Sequence, residues 1–468
     1  MNESIALHPA VQPADGVPWI GDNPRSARRV LLIAYHYPPS RESGALRPRG
    51  LAKYLAEFGW DVTVLTASMP GTRPGNVIQT DSSDAVADWK RRLRLRPDRG
   101  LKDQLQSRTS GSTQRAATTL INEHLVDLGR WLLTYPDPRK GWERFAVAAA
   151  ERLRGQGIEA IISTAPPLVC HMIAGKAKQF LGCPWIADYR DLWNTDPLTL
   201  EDRSGVVGAI QRRTEKRILA SCDALVTVSE PWAHRLRLRY PGKKAHAITN
   251  GFDPDEMAPA DHSLTSKFSI THAGILYLGK RDPTPLLQAL RDLINAGQMD
   301  ASDLLLRFYG EPEPFLSPLI RKFGLERVTE MRAVPRGEVL ERQRESQLLL
   351  VLNWSGPTEN GGHTGKVFEY LAASRPILAC GGAPGVLRDL LQETNTGVHV
   401  LSQDQMRQVL LDAYREYKRH GRVLYRGNDN AIERYSHRNM AQKFAGLLEE
   451  VAPRQVSLRS TESVQSGC

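Results

Sequence analysis

The densest chemistry in the chain lies at residues 364–378, Thr-Gly-Lys-Val-Phe-Glu-Tyr-Leu-Ala-Ala-Ser-Arg-Pro-Ile-Leu. Val367, Phe368, Leu371 and Ala372 recur at helical spacing, and Arg375-Pro376 ends that helix before a buried strand at Ile377-Leu378-Ala379. A helix opening at Thr364-Gly365 presents unbonded N–H groups and the positive end of its dipole. With the Lys366 ammonium beside them, that combination suits a phosphate. Glu369 follows Lys366 by three residues and falls on the same side of the helix. A carboxylate there can accept hydrogen bonds from two vicinal hydroxyls, as on a ribose. A phosphate end and a sugar end together suit a nucleotide. The alternative is a surface helix on which Lys366 and Glu369 merely pair.

Three further segments place polar chemistry at the ends of apolar runs, where α/β folds bind ligands. The loop Tyr35 to Arg47 follows Val30-Leu31-Leu32-Ile33-Ala34 and contains Pro38-Pro39 and Gly44. Trp185-Ile186-Ala187-Asp188-Tyr189-Arg190-Asp191 is a strand that ends in charge, which a purely structural role does not account for. His272-Ala273-Gly274-Ile275-Leu276-Tyr277-Leu278-Gly279-Lys280-Arg281 sets two adjacent cations after a glycine-bearing loop. Trp354 ends another apolar run and either stacks on a ligand or packs in the core. His171, a lone histidine at a helix start, is taken as structural.

TGKVFEYLAASRPILA is similar to the nucleotide-sugar segment of family-4 retaining glycosyltransferases of the GT-B fold, in the branch reading TGK-(V/L)-FEYLA-x-x-(R/K)-PILA. The resemblance implies that Glu369 is the second glutamate of the family's E-x7-E element and holds the donor ribose. The first glutamate would fall at position 361, which is Gly361 here. The 35–47 loop resembles the family's Y-x-(F/Y)-P-P…G-A-x-R opening, which implies that Gly44 lets backbone approach the donor and that Arg47 adds charge. Asp188 to Trp193 resembles a D-(F/Y)-R-D-x-W variant, and the family sets that strand tip beside the anomeric carbon. Asp188, Arg190 and Asp191 are therefore assigned as a catalytic or acceptor-side cluster. The Gly274 segment resembles the diphosphate loop, with Ile275 replacing its usual arginine. By that resemblance Lys280 and Arg281, with Lys366, stabilise charge on the departing nucleotide diphosphate without a metal. Val334, in Ala333 to Glu338, falls in the loop that holds the base. The donor set is then Gly44, Arg47, Gly274, Val334, Thr364, Gly365, Lys366 and Glu369.

These residues must be positioned by alternating strands and helices. Strands are predicted at 30–34, 61–65, 160–163, 185–188, 224–228 and 247–249, then at 269–276, 304–308, 328–331, 348–353, 377–379 and 397–400. Helical patterns lie between them. The fold class is α/β, and the resemblance makes it GT-B: two Rossmann-like domains facing across a cleft. The expected organisation is a disordered tail at 1–27, an acceptor domain at 28–250 with a basic insertion at about 70–140, and a nucleotide-sugar domain at 251–430. A C-terminal helix at 431–452 packs back toward the first domain, and a disordered tail occupies 453–468. Asn250-Gly251 is the hinge, and Asp253 and Asp255 are read as part of its turn.

Composition narrows the setting. The net charge is +10; residues 1–250 hold 36 basic and 25 acidic side chains (+11), and the remainder 26 and 27 (−1). The surplus in the first half suggests an anionic partner. The run from Lys90 to Lys102, with Trp131-Leu132-Leu133 and Trp142, fits an anionic membrane surface; the alternative is a solvated loop. No run of 18 apolar residues occurs, the N-terminus has no signal-peptide pattern, and the five cysteines are scattered. The expectations are a cytoplasmic protein, peripheral at the inner face of the membrane, with no metal or cofactor. Its partners are a nucleotide-sugar donor, a saccharide or lipid-linked acceptor and anionic lipid, not nucleic acid. The rivals are a GT-B-fold epimerase or hydrolase, and a basic nucleic-acid-binding protein.

Overall fold

The computed structural model describes residues 27–40, 42–69, 76–83, 134–193, 204–257, 263–311, 313–354 and 361–453. The chain builds two parallel sheets, each flanked by helices. The first contains β1 (Arg28–Ala34), β2 (Trp60–Ala67), β3 (Val77–Thr80), β4 (Ile158–Ala165), β5 (Trp185–Tyr189), β6 (Ala224–Thr227) and β7 (Lys244–Ala247), in the order β3-β2-β1-β4-β5-β6-β7. The second contains β8 (Phe268–Ala273), β9 (Leu304–Tyr309), β10 (Thr329–Arg332), β11 (Leu348–Leu352), β12 (Ile377–Cys380) and β13 (Gly397–Val400), in the order β10-β9-β8-β11-β12-β13. Central strands such as β1 and β11 are apolar runs because helices cover both faces. In each sheet the order reverses beside the first strand, between β1 and β4 and between β8 and β11. The loops leaving those strands therefore diverge and open a crevice.

The helices are α1 (Leu46–Tyr54), α2 (Glu143–Glu151), α3 (Val169–Leu181), α4 (Gly205–Ile218) and α5 (Glu230–Arg239) in the first domain. The second domain has α6 (Thr284–Asn295), α7 (Leu316–Lys322), α8 (Arg336–Arg344), α9 (Gly365–Ala373), α10 (Val386–Thr394), α11 (Gln403–His420) and α12 (Asp429–Glu433). The last helix, α13 (His437–Val451), returns to the first domain, where Met440, Phe444, Leu447 and Leu448 join Leu51, Leu55 and Trp60 in one core. Its N-cap is Ser436, which accepts a hydrogen bond from Asn439 N at 3.0 Å.

Several expectations change. The stretch 70–140 is not wholly an insertion, because Val77–Thr80 pairs with Val64–Ala67 as the edge of the first sheet. Trp142 is not a surface residue. It is fully buried, donates to Thr80 Oγ1 at 2.7 Å and meets Tyr35 edge-on at 5.3 Å. The basic run 90–102 and Trp131-Leu132-Leu133 lie outside the described residues. β7 precedes its predicted place, since an edge strand reading Lys-Ala-His-Ala gives little apolar signal. α5 was not expected, though Ser229 followed by Glu230-Pro231 is an N-cap and first-turn pattern. β8 stops at Ala273 because Gly274 turns the chain away at φ 147°.

Candidate active site

The site gathers at the N-terminus of α9. Thr364 precedes the helix in extended conformation and its side chain makes no capping bond; its carbonyl accepts Val367 N at 3.1 Å, which leaves the N–H groups of Gly365 and Lys366 uncapped by it. At Gly365 a Cβ would meet nothing within 4 Å. Tyr370 anchors the helix from below: its hydroxyl accepts from Ala273 N at 3.0 Å and donates to Leu350 O at 3.3 Å, which ties α9 to β8 and β11. On the exposed side Glu369 bonds to Lys366 Nζ at 3.0 Å, to Arg336 Nη1 at 2.5 Å and to Gln343 Nε2 at 3.4 Å. Burial pushes the Glu369 carboxyl up, but Lys366 and Arg336 outweigh it and hold the group below the usual range. Lys366 and Glu369 thus pair in the free protein, at the wall of a cleft rather than on an open surface.

The tips of β8 and β9 approach closely beside this helix. A Cβ on Gly274 would stand 3.4 Å from Lys366 Cε, and one on Gly310 would stand 2.7 Å from Gly274 O. His272 lies beneath, with Nδ1 3.0 Å from Leu350 O; burial pulls its pKa to about 4, so it is neutral. In the loop that follows, Tyr277 and Leu278 both adopt φ 53°. That left-handed pair is held by Glu313, whose carboxylate accepts Leu276 N at 2.5 Å and Leu278 N at 2.7 Å. Arg281 donates to Ile275 O at 3.2 Å and reaches Thr364 Oγ1 at 3.5 Å, so this cation stands at the mouth of α9. Lys280 lies 5.5 Å over the Trp354 ring, and that ring packs against Tyr277 at 5.3 Å. Trp354 supports the loop.

The first domain faces this constellation with the 35–46 loop. Pro38, Ser40, Glu42, Ser43 and Arg49 line one wall of a 300 Å³ cavity whose other wall is Arg336, Lys366 and Glu369. A second cavity of 180 Å³ opens at the tips of β8 to β10, between His272, Phe308, Tyr309, Met331 and Arg332. Val334 is half-buried after β10 and lines neither cavity.

Two sequence assignments are corrected. Arg47 lines neither cavity. It is buried, with Nε and Nη2 bonded to Asp188 at 2.9 and 2.8 Å and further bonds to Ile248 O, Thr249 O and Asn250. Asp188 is equally enclosed and also accepts from Thr164. The pair braces α1, β5 and the hinge, and neither group has a face toward the cleft. Arg190 and Asp191 lie further out. Arg190 bonds to Pro166 O, and its guanidinium occupies the space above Gly44, where a Cβ would stand 2.2 Å from Nη1. Gly44 thus packs closely against the Arg190 guanidinium, which would have to shift to admit a side chain. Asp191 is exposed at the rim. His171 is buried, bonded to Ser163 at 2.7 Å and packed at a tilt against Tyr189 at 4.6 Å.

Arg336, Arg49, Glu313 and Tyr370 were not found from sequence. Glu313 lies 37 residues from its partner Leu276 and Arg336 lies 33 from Glu369, so no local spacing signals either contact. Among the described residues no group of His, Cys, Asp and Glu has metal-site geometry, no helix is long and apolar enough to cross a membrane, and four buried cysteines are free thiols.

Residues 44–251 match the family model described as a glycosyl transferase 4-like domain. That match falls in the first domain and spans less than half of the chain. A search of curated proteins finds no match. Among solved structures, a glycosyltransferase of Rickettsia africae shares 12% identity at TM-score 0.56, covering 92% of this chain and 100% of its own. Anabaena HepE, solved with UDP and glucose, shares 13% at TM-score 0.56, with 90% and 100% covered. Sucrose-phosphate synthase of Thermosynechococcus elongatus shares 15% at TM-score 0.55, with 90% and 98% covered. At these identities the likeness is one of fold, and the fold is the two-domain GT-B architecture.

Proposed function

We propose that the protein is a retaining glycosyltransferase that moves a sugar, of hexosyl type, from a nucleotide-sugar donor to a saccharide or lipid-linked acceptor. The setting we propose is cell-surface polysaccharide or glycolipid synthesis at the cytoplasmic face of the membrane. One observation carries this reading: an uncapped helix N-terminus, flanked by Lys366 and Arg281, opens onto an interdomain cavity whose wall also presents Glu369. Free N–H groups and two cations suit a diphosphate, and they favour the transition state because charge develops on the departing nucleotide. Glu369, now held by Lys366 and Arg336, can exchange those partners for ribose hydroxyls while the cations turn to phosphate. The cavity between His272 and Arg332 is the right size for a planar base. Arg190 and Asp191 stand on the acceptor side. The chemistry needs no divalent ion in this scheme, since side chains supply the charge.

The deciding experiment incubates the protein with a panel of nucleotide sugars, UDP-glucose among them because HepE has been solved with it. Mass spectrometry then follows donor consumption with and without candidate acceptors. Acceptor-dependent transfer that persists in excess EDTA is expected. Donor isomerised without acceptor points to an epimerase, and donor hydrolysed equally with or without acceptor points to a hydrolase; either overturns the reading.

A further inference from the structure

Position 361 is where the similar segments carry a glutamate and this chain carries Gly361. The structure gives that glycine a task. It is buried four residues before α9, at φ 73°, and a Cβ there would stand 2.7 Å from Trp232 Cδ1 and 2.8 Å from Trp232 Nε1, with Pro231 at 3.1 Å. Trp232 and Pro231 belong to α5, in the other domain. Ser229, the N-cap of α5, donates its hydroxyl to Gly361 O and accepts from Trp232 N at 3.4 Å. His363, two residues further on, has the backbones of Val386 and Val228 beside its ring and packs on Phe368 at 5.6 Å. A continuous patch at the tip of β6 therefore holds the segment that leads into α9, and only a residue without a side chain admits the Trp232 ring so close.

We propose that Ser229 and Trp232 are positioning residues for the donor helix: they grip the Gly361 backbone across the cleft and so set where the N-terminus of α9 and Lys366 stand relative to the acceptor domain. The inference rests on the glycosyltransferase reading for its consequence, though not for the contact. The grip acts on geometry between domains, whereas Lys366, Arg281 and Glu369 all lie on the second domain. Loosening it should therefore lower kcat and leave nucleotide affinity nearly unchanged.

The test uses Ser229→Ala, Ser229→Thr and Gly361→Ala in the full-length chain. Misplacement on the ångström scale lowers kcat by about tenfold or more. That loss is expected for Gly361→Ala and, to a lesser degree, for Ser229→Ala, with the Kd for nucleoside diphosphate held to within about threefold. Ser229→Thr keeps the hydroxyl and should restore kcat. Spin labels at Leu238→Cys and Leu401→Cys, exposed positions on opposite domains, should report a broader interdomain distance in Gly361→Ala and Ser229→Ala than in the parent. If Gly361→Ala does not fold, Ser229→Ala against Ser229→Thr decides alone. Unchanged kcat and unchanged distances in Ser229→Ala overturn the proposal. If the parent binds no nucleoside diphosphate, the enzymatic reading fails, and the distance measurement still decides the grip.

Discussion

The two walls of the cleft use charge in opposite ways. On the first domain, Arg47 and Asp188 are sealed from water and bonded to each other, and they spend their hydrogen-bonding capacity on the hinge and on Thr164. On the second domain, Lys366, Glu369 and Arg336 pair with one another at the surface of a cavity, in contacts that a ligand can replace. Both sets look alike in sequence, as charged residues at strand or helix ends. Burial separates them: the enclosed pair can only brace, and the accessible cluster is open to a ligand.

That contrast can be broken first where it is sharpest. Asp188→Ala leaves the Arg47 guanidinium buried and uncompensated, a loss that costs about 3–5 kcal/mol. Urea unfolding should show a much lower midpoint, and activity should fall because folded protein is lost. Glu369→Ala should do the reverse. Its unfolding midpoint stays near that of the parent, while transfer is abolished and nucleotide affinity drops, with each lost charged hydrogen bond worth about 1.5–3 kcal/mol. Calorimetric titration with a nucleoside diphosphate checks it, and unchanged affinity would remove Glu369 from the ribose site.

Acid should sharpen the comparison. Burial pulls His272, His363 and His437 to about 4 and His171 to about 3, from an ordinary value of 6.5. The unfolded chain takes up protons near 6.5 while the folded chain resists until near 4. Stability is then greatest above pH 6.5 and falls as pH drops through the window from 6.5 to 4. Unfolding midpoints measured from pH 7.5 to 4.5 should decline along that slope, and a flat profile would show that these rings titrate freely.

The smallest effect is expected at Glu313. Glu313→Gln keeps one of the two oxygens that accept Leu276 and Leu278 N–H and loses the charge, with its NH2 in place of the other acceptor of the left-handed turn. Transfer should slow by a few-fold, since hydrogen bonds to charged groups exceed neutral ones by about 1 kcal/mol. The unfolding midpoint should barely move.

The order of these effects also marks what the sequence disclosed. The strands, the two-domain alternation and the donor helix were legible because apolar runs and a 3.6-residue period are local signals. β3 and α5 were not, and β7 was displaced by three residues, since short or half-polar elements are decided by what they pack against. At the candidate site, a spacing of three put Lys366 and Glu369 on one side of the helix, where they pair, and Arg281 was placed by its resemblance to a diphosphate loop. Arg47 and Asp188 misled, because residue type reveals charge but not enclosure. Arg336, Glu313, Ser229 and Trp232 act across long sequence separations that only the folded chain closes.

The two passages of the chain between domains lie side by side. Phe252 N donates to Tyr435 O at 3.0 Å and His437 N to Phe252 O at 2.7 Å, while Lys53, Arg49 and Tyr54 converge on Asp253 beside them. The first domain thus receives its last helix only after the second has been threaded through. During synthesis, the apolar face of α1 leaves the ribosome without α13, and about 380 residues separate Tyr54 from His437. At about 5–20 residues per second, that face waits on the order of 20–80 s for its cover. The same return that seals the mature molecule makes the half-made one a natural client for a chaperone.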